Sequence, residues 1–103
     1  MSRQAQVYFE KELAGILKET DDGYLFQYET NYQGPSVSLT LPLRTEAYES
    51  KILFPFFDGL IPEGWLLHLV ESNWKINPRD RMGLLLSLCE DTIGAISIKE
   101  NKS

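Results

Sequence analysis

A turn signal at Thr20–Gly23 (TDDG) separates two stretches of alternating apolar residues, and this combination most constrains the fold. An Asp-Gly pair is typical of tight turns between antiparallel strands. Upstream, QVYFE places Val7 and Phe9 on one face of a strand, and LAGILKE lies between that strand and the turn. Downstream, the period of two puts three aromatic residues on one face: Tyr24, Phe26 and Tyr28. The sequence therefore predicts a three-stranded antiparallel meander from about Gln6 to Tyr28.

The next part of the chain predicts one more strand between two loops. ETNYQGPS has the composition of a loop, and VSLTLPL alternates again. Four apolar residues of this stretch would line one face: Val37, Leu39, Leu41 and Leu43. Pro42 has no N–H to donate to a ladder, so the strand is expected at an edge or to end there. RTEAYESK is predicted to be a polar loop.

The remainder predicts helices followed by a final strand. A short helix is expected around Phe54–Leu60, and a second helix within EGWLLHLVESNW. For a third helix in RDRMGLLLSLCED, Asn77 would be the cap, Pro78 the first helical residue, and Asp80 part of the first turn. Its buried face would carry Leu84, Leu85 and Leu88. GAISIKE would return to the sheet, so residues 1–103 predict one α+β domain: a small antiparallel sheet with about three helices packed on one side.

Charge and composition restrict the function classes. The 103 residues carry a net charge of −5, which disfavours direct binding to a phosphate backbone. There is no apolar run of about 18 residues and no secretory signal, so we expect a cytoplasmic protein without membrane contact. The single cysteine fits a reducing compartment.

The sequence contains no recognisable motif for catalysis, cofactor binding or metal binding. The seven glycines form no phosphate-binding loop, and PRDRMG lacks the downstream Asn of a kinase catalytic loop. One histidine and one cysteine, His68 and Cys89, are too few for a typical zinc site. We therefore expect no enzyme activity, no cofactor and no metal, and favour a binding module.

Trp65 is the most interesting candidate for a partner contact. At about 100° per residue, the apolar stripe of the second predicted helix is centred near 130° from Trp65, which places the ring at the border with the polar face. Trp65 is then either a partly buried packing residue, folded onto Pro62 or Phe56, or an aromatic anchor for a partner. Trp74 lies near the centre of the stripe and is the better core candidate.

Four blocks in order resemble the N-terminal subdomain of HipA-type toxin kinases. The first block carries the family's spacing at Gly15, Leu17, Gly23, Phe26 and Tyr28; the others are SLTLPLR, FPFFDGLIPEG and LLSLCEDTIGAISI. The chain ends in a polar KENKS tail, so we expect a free-standing version of the subdomain, similar to the HipS proteins of HipBST toxin–antitoxin systems. That resemblance implies an antitoxin that binds a HipT-like serine/threonine kinase toxin, in a complex that includes a HipB-like helix-turn-helix protein.

The same resemblance suggests how such a domain inhibits. Pro62, Glu63 and Gly64 would form a rigid turn that presents Trp65 to a groove on the kinase. His68 and Ser72 lie on the same side of the predicted helix and would either flank Trp65 or simply be solvated. Two alternatives stay open: a structural N-terminal part of a longer HipA-type kinase, and an assembly subunit that links the kinase to HipB.

Overall fold

A five-stranded antiparallel sheet is the frame of the structure, a computed structural model that describes residues 3–61, 80–88 and 95–100. Its strands are β1 (Gln4–Phe9), β2 (Glu12–Thr20), β3 (Gly23–Tyr28), β4 (Tyr48–Ser50) and β5 (Ile96–Glu100). The strand order is β4-β3-β2-β1-β5. The predicted meander is confirmed as β1 to β3, and the predicted final strand is confirmed as β5, which pairs with β1.

The turn between β2 and β3 shows why the Asp-Gly signal matters. Thr20 pairs with Gly23 across this turn. Gly23 has a φ of 153°, a backbone angle that residues other than glycine rarely adopt. A Cβ at position 23 would also collide with the carbonyl oxygen of Ser50, at the end of β4. Glycine therefore serves both the turn and the close approach of the neighbouring strand.

The prediction of a plain loop at residues 44–51 was wrong, because this stretch contains β4. Tyr48 pairs with Phe26 and Ser50 pairs with Tyr24, so β4 extends the sheet beyond β3. Three residues are too few to show a clear alternation. The Arg44 guanidinium lies 3.6 Å from the centre of the Tyr48 ring and donates to the carbonyls of residues 46 and 47, which holds the approach to this edge strand.

The prediction of a strand at Val37–Leu43 was also wrong. Val37 and Leu41 are buried, whereas Leu39 is fully exposed and Leu43 is 44% exposed, so the four residues do not share a face. A single bridge joins Ser38 to Leu41 around a tight turn. The Ser38 hydroxyl accepts from the Thr40 N–H, a local bond that competes with a sheet ladder.

One face of the sheet and two helices enclose the core of the described part. The helices are α1 (Pro55–Asp58) and α2 (Arg81–Leu88). Phe26 from the sheet, Phe57 from α1 and both Leu84 and Leu85 from α2 are fully buried. The predicted short helix near residue 54 and the inward face of the last helix are thus confirmed, and so is the α+β class. The second predicted helix and the side chain of Leu88 lie outside the described residues.

Candidate functional site

The partner-binding residues predicted from the sequence lie outside the described residues. They are Pro62, Glu63, Gly64, Trp65, His68 and Ser72, all within the range 62–79. The structure describes the two flanks of this range, residues 54–61 and 80–88. The site is therefore described through the side chains of these two flanks.

The first flank is fixed by an aromatic cluster around Phe57. The Phe57 ring makes edge contacts with Phe26 of β3 at 5.2 Å, Phe56 at 5.1 Å and Phe54 at 6.1 Å between ring centres. Pro55 opens α1, where its missing N–H is no loss. The helix ends at Asp58, and Ile61 after it is buried. α1 is therefore seated firmly on the sheet.

The second flank begins with a side-chain cap. Asp80 Oδ1 accepts a hydrogen bond from the Gly83 N–H at 3.1 Å, and the Asp80 carbonyl accepts from the Leu84 N–H at 3.0 Å. α2 begins at Arg81, so Asp80 is its N-cap, and the prediction that Asp80 belongs to the first turn was wrong. Asn77 and Pro78, expected as cap and first helical residue, lie outside the described residues.

Arg3 ties this capped end to the sheet. Its guanidinium makes two hydrogen bonds to the carboxylate of Glu19, both of 2.8 Å, and two to Asp80, of 2.8 and 2.7 Å. Glu19 lies near the end of β2, whereas Asp80 is 77 residues from Arg3 in the sequence. Each of the three side chains of this Arg3 cluster is about one third exposed, at 35%, 27% and 32% for Arg3, Glu19 and Asp80.

Glycine at position 83 makes room for the cluster. A Cβ there would lie 2.5 Å from Asp80 Oδ2 and 3.3 Å from Arg3 Nη1. Any side chain would therefore push the carboxylate away from the arginine.

A second ion pair joins the two flanks directly. Arg81 Nε donates to Asp58 Oδ1 at 2.6 Å, which connects the first residue of α2 to the last residue of α1. The two partners are 23 residues apart in the sequence. The Asp58–Arg81 pair and the Arg3 cluster thus occupy the described positions on both sides of the range 62–79.

The family can be decided once this frame is known. Residues 5–99 match the sequence profile of the HipA N-terminal domain. The chain belongs to the HipA N-terminal domain family.

Two similar proteins were found by comparison. An uncharacterized protein of Haemophilus influenzae is 37% identical over 100 residues, which are 97% of this chain and 94% of the relative. A solved structure of the N-terminal domain of HipA toxin aligns with a TM-score of 0.79 and 33% identity, over 98% of this chain and 94% of that chain. The resemblance seen in the four sequence blocks is therefore confirmed at the level of the family and of the fold, and the family implies a toxin–antitoxin context.

The Arg3 cluster was missed in the sequence of this HipA N-terminal domain. From the sequence, Asp80 was considered only for the start of a helix and for a kinase catalytic loop, and Arg3 was assigned no role. Its partners are 16 and 77 residues away, so no local spacing connects them.

The described surface has other features that bear on function. Its exposed large apolar residues are Leu39, Leu43 and Ile52. Among the described residues, no group of three or more acidic, histidine or cysteine side chains is placed to hold a metal ion. Within the same residues, no helix has the length and apolar character needed to cross a membrane.

The charges of the Arg3 cluster depend on one another. Hydrogen bonds from Arg3 hold the pKa of Glu19 and the pKa of Asp80 below their ordinary values, and for Asp80 the Gly83 N–H adds to the effect. The same bonds raise the pKa of Arg3 above its ordinary value, so the guanidinium stays charged. Lowered carboxylate pKa values mean that the cluster stabilises the folded state only while both acids are ionised.

This linkage predicts how Arg3→Gln responds to pH. We expect the substitution to lower the free energy of unfolding by about 1 kcal/mol near neutral pH, because partly exposed pairs are screened by solvent. The difference from the parent should be complete above about pH 5 and shrink as the pH falls through the lowered pKa values, since protonated acids gain little from Arg3. Urea unfolding of the parent and of Arg3→Gln between about pH 7 and 3 measures this difference in the free energy of unfolding. A difference that stays constant or grows toward acid would contradict this assignment.

Proposed function

We propose that this chain is an antitoxin that binds a HipT-type serine/threonine kinase toxin in trans and inhibits it. The observation that supports this most is the likeness over 98% of the chain to the N-terminal domain of HipA toxin, a domain that belongs to a toxin. A separate copy of such a domain would dock on a kinase that lacks its own. The chain itself would have no catalytic role and no cofactor, and it would act in the cytoplasm.

The inhibitory contact is proposed at the Pro62–Trp65 turn. Pro62 and Gly64 would restrict and shape the turn, and Trp65 would enter a groove on the kinase. A tryptophan buries a large area while only two side-chain torsions are frozen, so it can carry much of the affinity of an interface. Glu63, His68 and Ser72 would lie around it at the rim.

The charge of the chain favours the same partner. A net charge of −5 complements a basic kinase cleft and speeds the encounter at low ionic strength. The same charge disfavours direct contact with DNA, so any link to DNA would run through a HipB-like protein. The alternatives are a structural part of a longer HipA-type kinase and an assembly subunit that joins kinase and HipB. A neighbouring gene for a kinase without this domain would favour the antitoxin.

Growth rescue tests the proposal. We expect the parent chain to restore growth of cells that express the neighbouring HipT-type kinase, and Trp65→Ala to fail although it folds, because the anchor is gone. Leu39→Ala is the matched control, since Leu39 is an exposed large apolar residue on a different turn. Colony counts give the readout, and circular dichroism checks that each variant is folded.

The other outcomes have distinct meanings. Equal rescue by the parent and Trp65→Ala would make Trp65 a packing residue and move the inhibitory surface elsewhere. Loss of rescue with Leu39→Ala alone would move it to the Ser38–Leu41 turn. If the parent does not rescue growth, the antitoxin function is wrong and a structural or assembly role is favoured.

A further inference from the structure

We propose that the outer edge of β4 pairs with the same edge of a second copy of this chain, in one antiparallel register. The inference goes beyond the proposed antitoxin function and does not depend on the kinase. It rests on the segment Tyr48–Ile52, whose residues are all described. The segment has the sequence YESKI, which is complementary to itself in charge and in apolar character.

The first observation is that β4 forms an open edge of the sheet. β4 pairs with β3 through residues 48–50, and within residues 3–61, 80–88 and 95–100 no strand lies on its other side. A cleft of about 350 Å³ opens beside Ser50 and Lys51. An edge strand with an open side presents backbone N–H and C=O groups that a further strand can bind.

The second observation is the accessibility of the side chains at this edge. Glu49 and Lys51 are exposed, and neither makes an ion pair with another described residue. Ile52 is 68% exposed, although it is a large apolar residue. Tyr48 is half-buried, with its ring packed against the core and next to the Arg44 guanidinium. Two charges and one apolar side chain are thus available to a partner.

Only some registers are possible when two identical strands pair antiparallel across a two-fold axis. Opposite residues must both direct their backbone groups toward the partner or both away from it, so the axis passes through a residue and not between two. An axis at Glu49 would set two carboxylates against each other, and an axis at Lys51 would do the same with two ammonium groups. Like charges directly opposite are destabilising. An axis at Tyr48 would leave both charges without an opposite charge across the strands.

An axis at Ser50 gives the complementary register. Glu49 of each copy then lies opposite Lys51 of the other, and Tyr48 lies opposite Ile52. Opposite charges and aromatic–β-branched pairs are both favourable across antiparallel strands. The exposed Ile52 would gain an apolar neighbour. The charges that discourage pairing with an unrelated strand therefore select a second copy.

This pairing requires that β4 continue through Lys51 and Ile52. These two residues follow the end of β4, and the Ser50 hydroxyl accepts a hydrogen bond from the Ile52 N–H at 3.3 Å. Because this bond is exposed, its net contribution is small and a second strand can replace it. The two copies would then share one continuous sheet. The paired segment is short, so we expect a weak and reversible dimer.

The other edge of the sheet lacks this self-complementarity. An axis at Ile98 of β5 would set Lys99 opposite Ser97 and Glu100 opposite Ile96. Neither pair combines opposite charges. Self-pairing is therefore assigned to β4.

Sedimentation velocity of the full chain tests this pairing through two charge variants. Lys51→Glu leaves only acids at the edge, and Glu49→Lys leaves only bases, so each variant repels its own kind. A mixture of the two is complementary again, because every acid meets a base of the other chain. Lys11→Glu is the control, since it makes the same change in net charge at an exposed turn between β1 and β2. Circular dichroism checks that every variant is folded.

We expect the parent and the control to dimerise with similar dissociation constants, and each charge variant alone to dimerise about tenfold or more weakly. The equal mixture should recover most of the parent's association. In nuclear magnetic resonance spectra of the parent, the amide signals of residues 48–52 should shift with protein concentration, which places the contact at β4.

Three results would overturn the inference. The first is a parent that stays monomeric up to about 1 mM, where even a weak specific contact is populated. The second is a charge variant that dimerises as well as the parent, or a mixture that fails to associate, since either places any contact elsewhere. The third is a shift of the amides of residues 48–52 only when a HipT-type kinase is added, which would make this edge a kinase contact.

Discussion

Phe57→Ala is expected to lower the free energy of unfolding by about 4 kcal/mol, within the usual range for buried phenylalanines. Phe57 is fully buried and its ring contacts three other phenylalanines, from β3 and from the residues around α1. Truncation would remove a large apolar area and leave a cavity that the neighbouring rings, held by the sheet and by α1 itself, cannot easily fill. For a domain of this size, such a loss is a large fraction of the total stability.

Chemical denaturation of the parent and the variant measures this difference. Phe56→Ala is the matched control, because Phe56 neighbours Phe57 on the same helix but is only half-buried. We expect the control to lose about half as much or less, since the loss follows the buried area. Equal losses at both positions would show that Phe57 is not the centre of the core.

Tyr28→Phe is expected to lower the free energy of unfolding by about 2 to 3 kcal/mol through a single oxygen atom. The Tyr28 hydroxyl donates to the Leu41 carbonyl and accepts from the Val37 N–H at 3.0 Å, and all three residues are buried. Burial holds the pKa of Tyr28 above its ordinary value, so the hydroxyl keeps its proton and can donate. Phenylalanine would fill the same space but leave an N–H and a carbonyl without their partner.

Thermal and urea unfolding quantify the effect, and hydrogen exchange at the Val37 amide localises it. Tyr32→Phe is the control, because the Tyr32 hydroxyl donates to the Pro35 carbonyl at an exposed position, where water can replace it. We expect this control to change stability by less than about 0.5 kcal/mol. A Tyr28→Phe protein as stable as the parent would mean that the hydroxyl does not organise residues 37–41.

The features that were predictable are those with a local physical cause. Alternation and an Asp-Gly turn specify strands that pair with their neighbours in the chain, so the β1–β3 meander was within reach. The short helix expected around Phe54–Leu60 was also found, as α1. The family resemblance was also visible, because it depends on blocks of sequence and not on contacts.

The secondary-structure predictions were wrong where contacts with distant side chains determine the backbone conformation. Residues 37–43 have the pattern of a strand, yet Tyr28 binds both sides of a turn there and Leu39 is left fully exposed. β4 has only three residues, and it is a strand because β3 offers an open edge. The cap of α2 is Asp80, which was expected inside the first turn, and its carboxylate is shared between the Gly83 N–H and Arg3.

The candidate site divides in the same way. Trp65 and its neighbours were chosen from residue type and helical angle, and they stay a prediction. The Arg3 cluster and the Asp58–Arg81 pair were invisible to such reasoning, because their partners are 16, 77 and 23 residues apart. They came to light only through contacts between distant parts of the chain.

The sequence by itself determined the α+β class, the meander, the return of β5 and membership of the HipA N-terminal domain family. Each depends on periodicity, turn chemistry or ordered motifs, which act over a few residues. Only the tertiary structure decided which carboxylates Arg3 binds, where α2 begins and which leucines of residues 37–43 are buried. Those outcomes depend on side chains that meet only after the sheet and helices have packed, and no pattern along the chain encodes the distance between them.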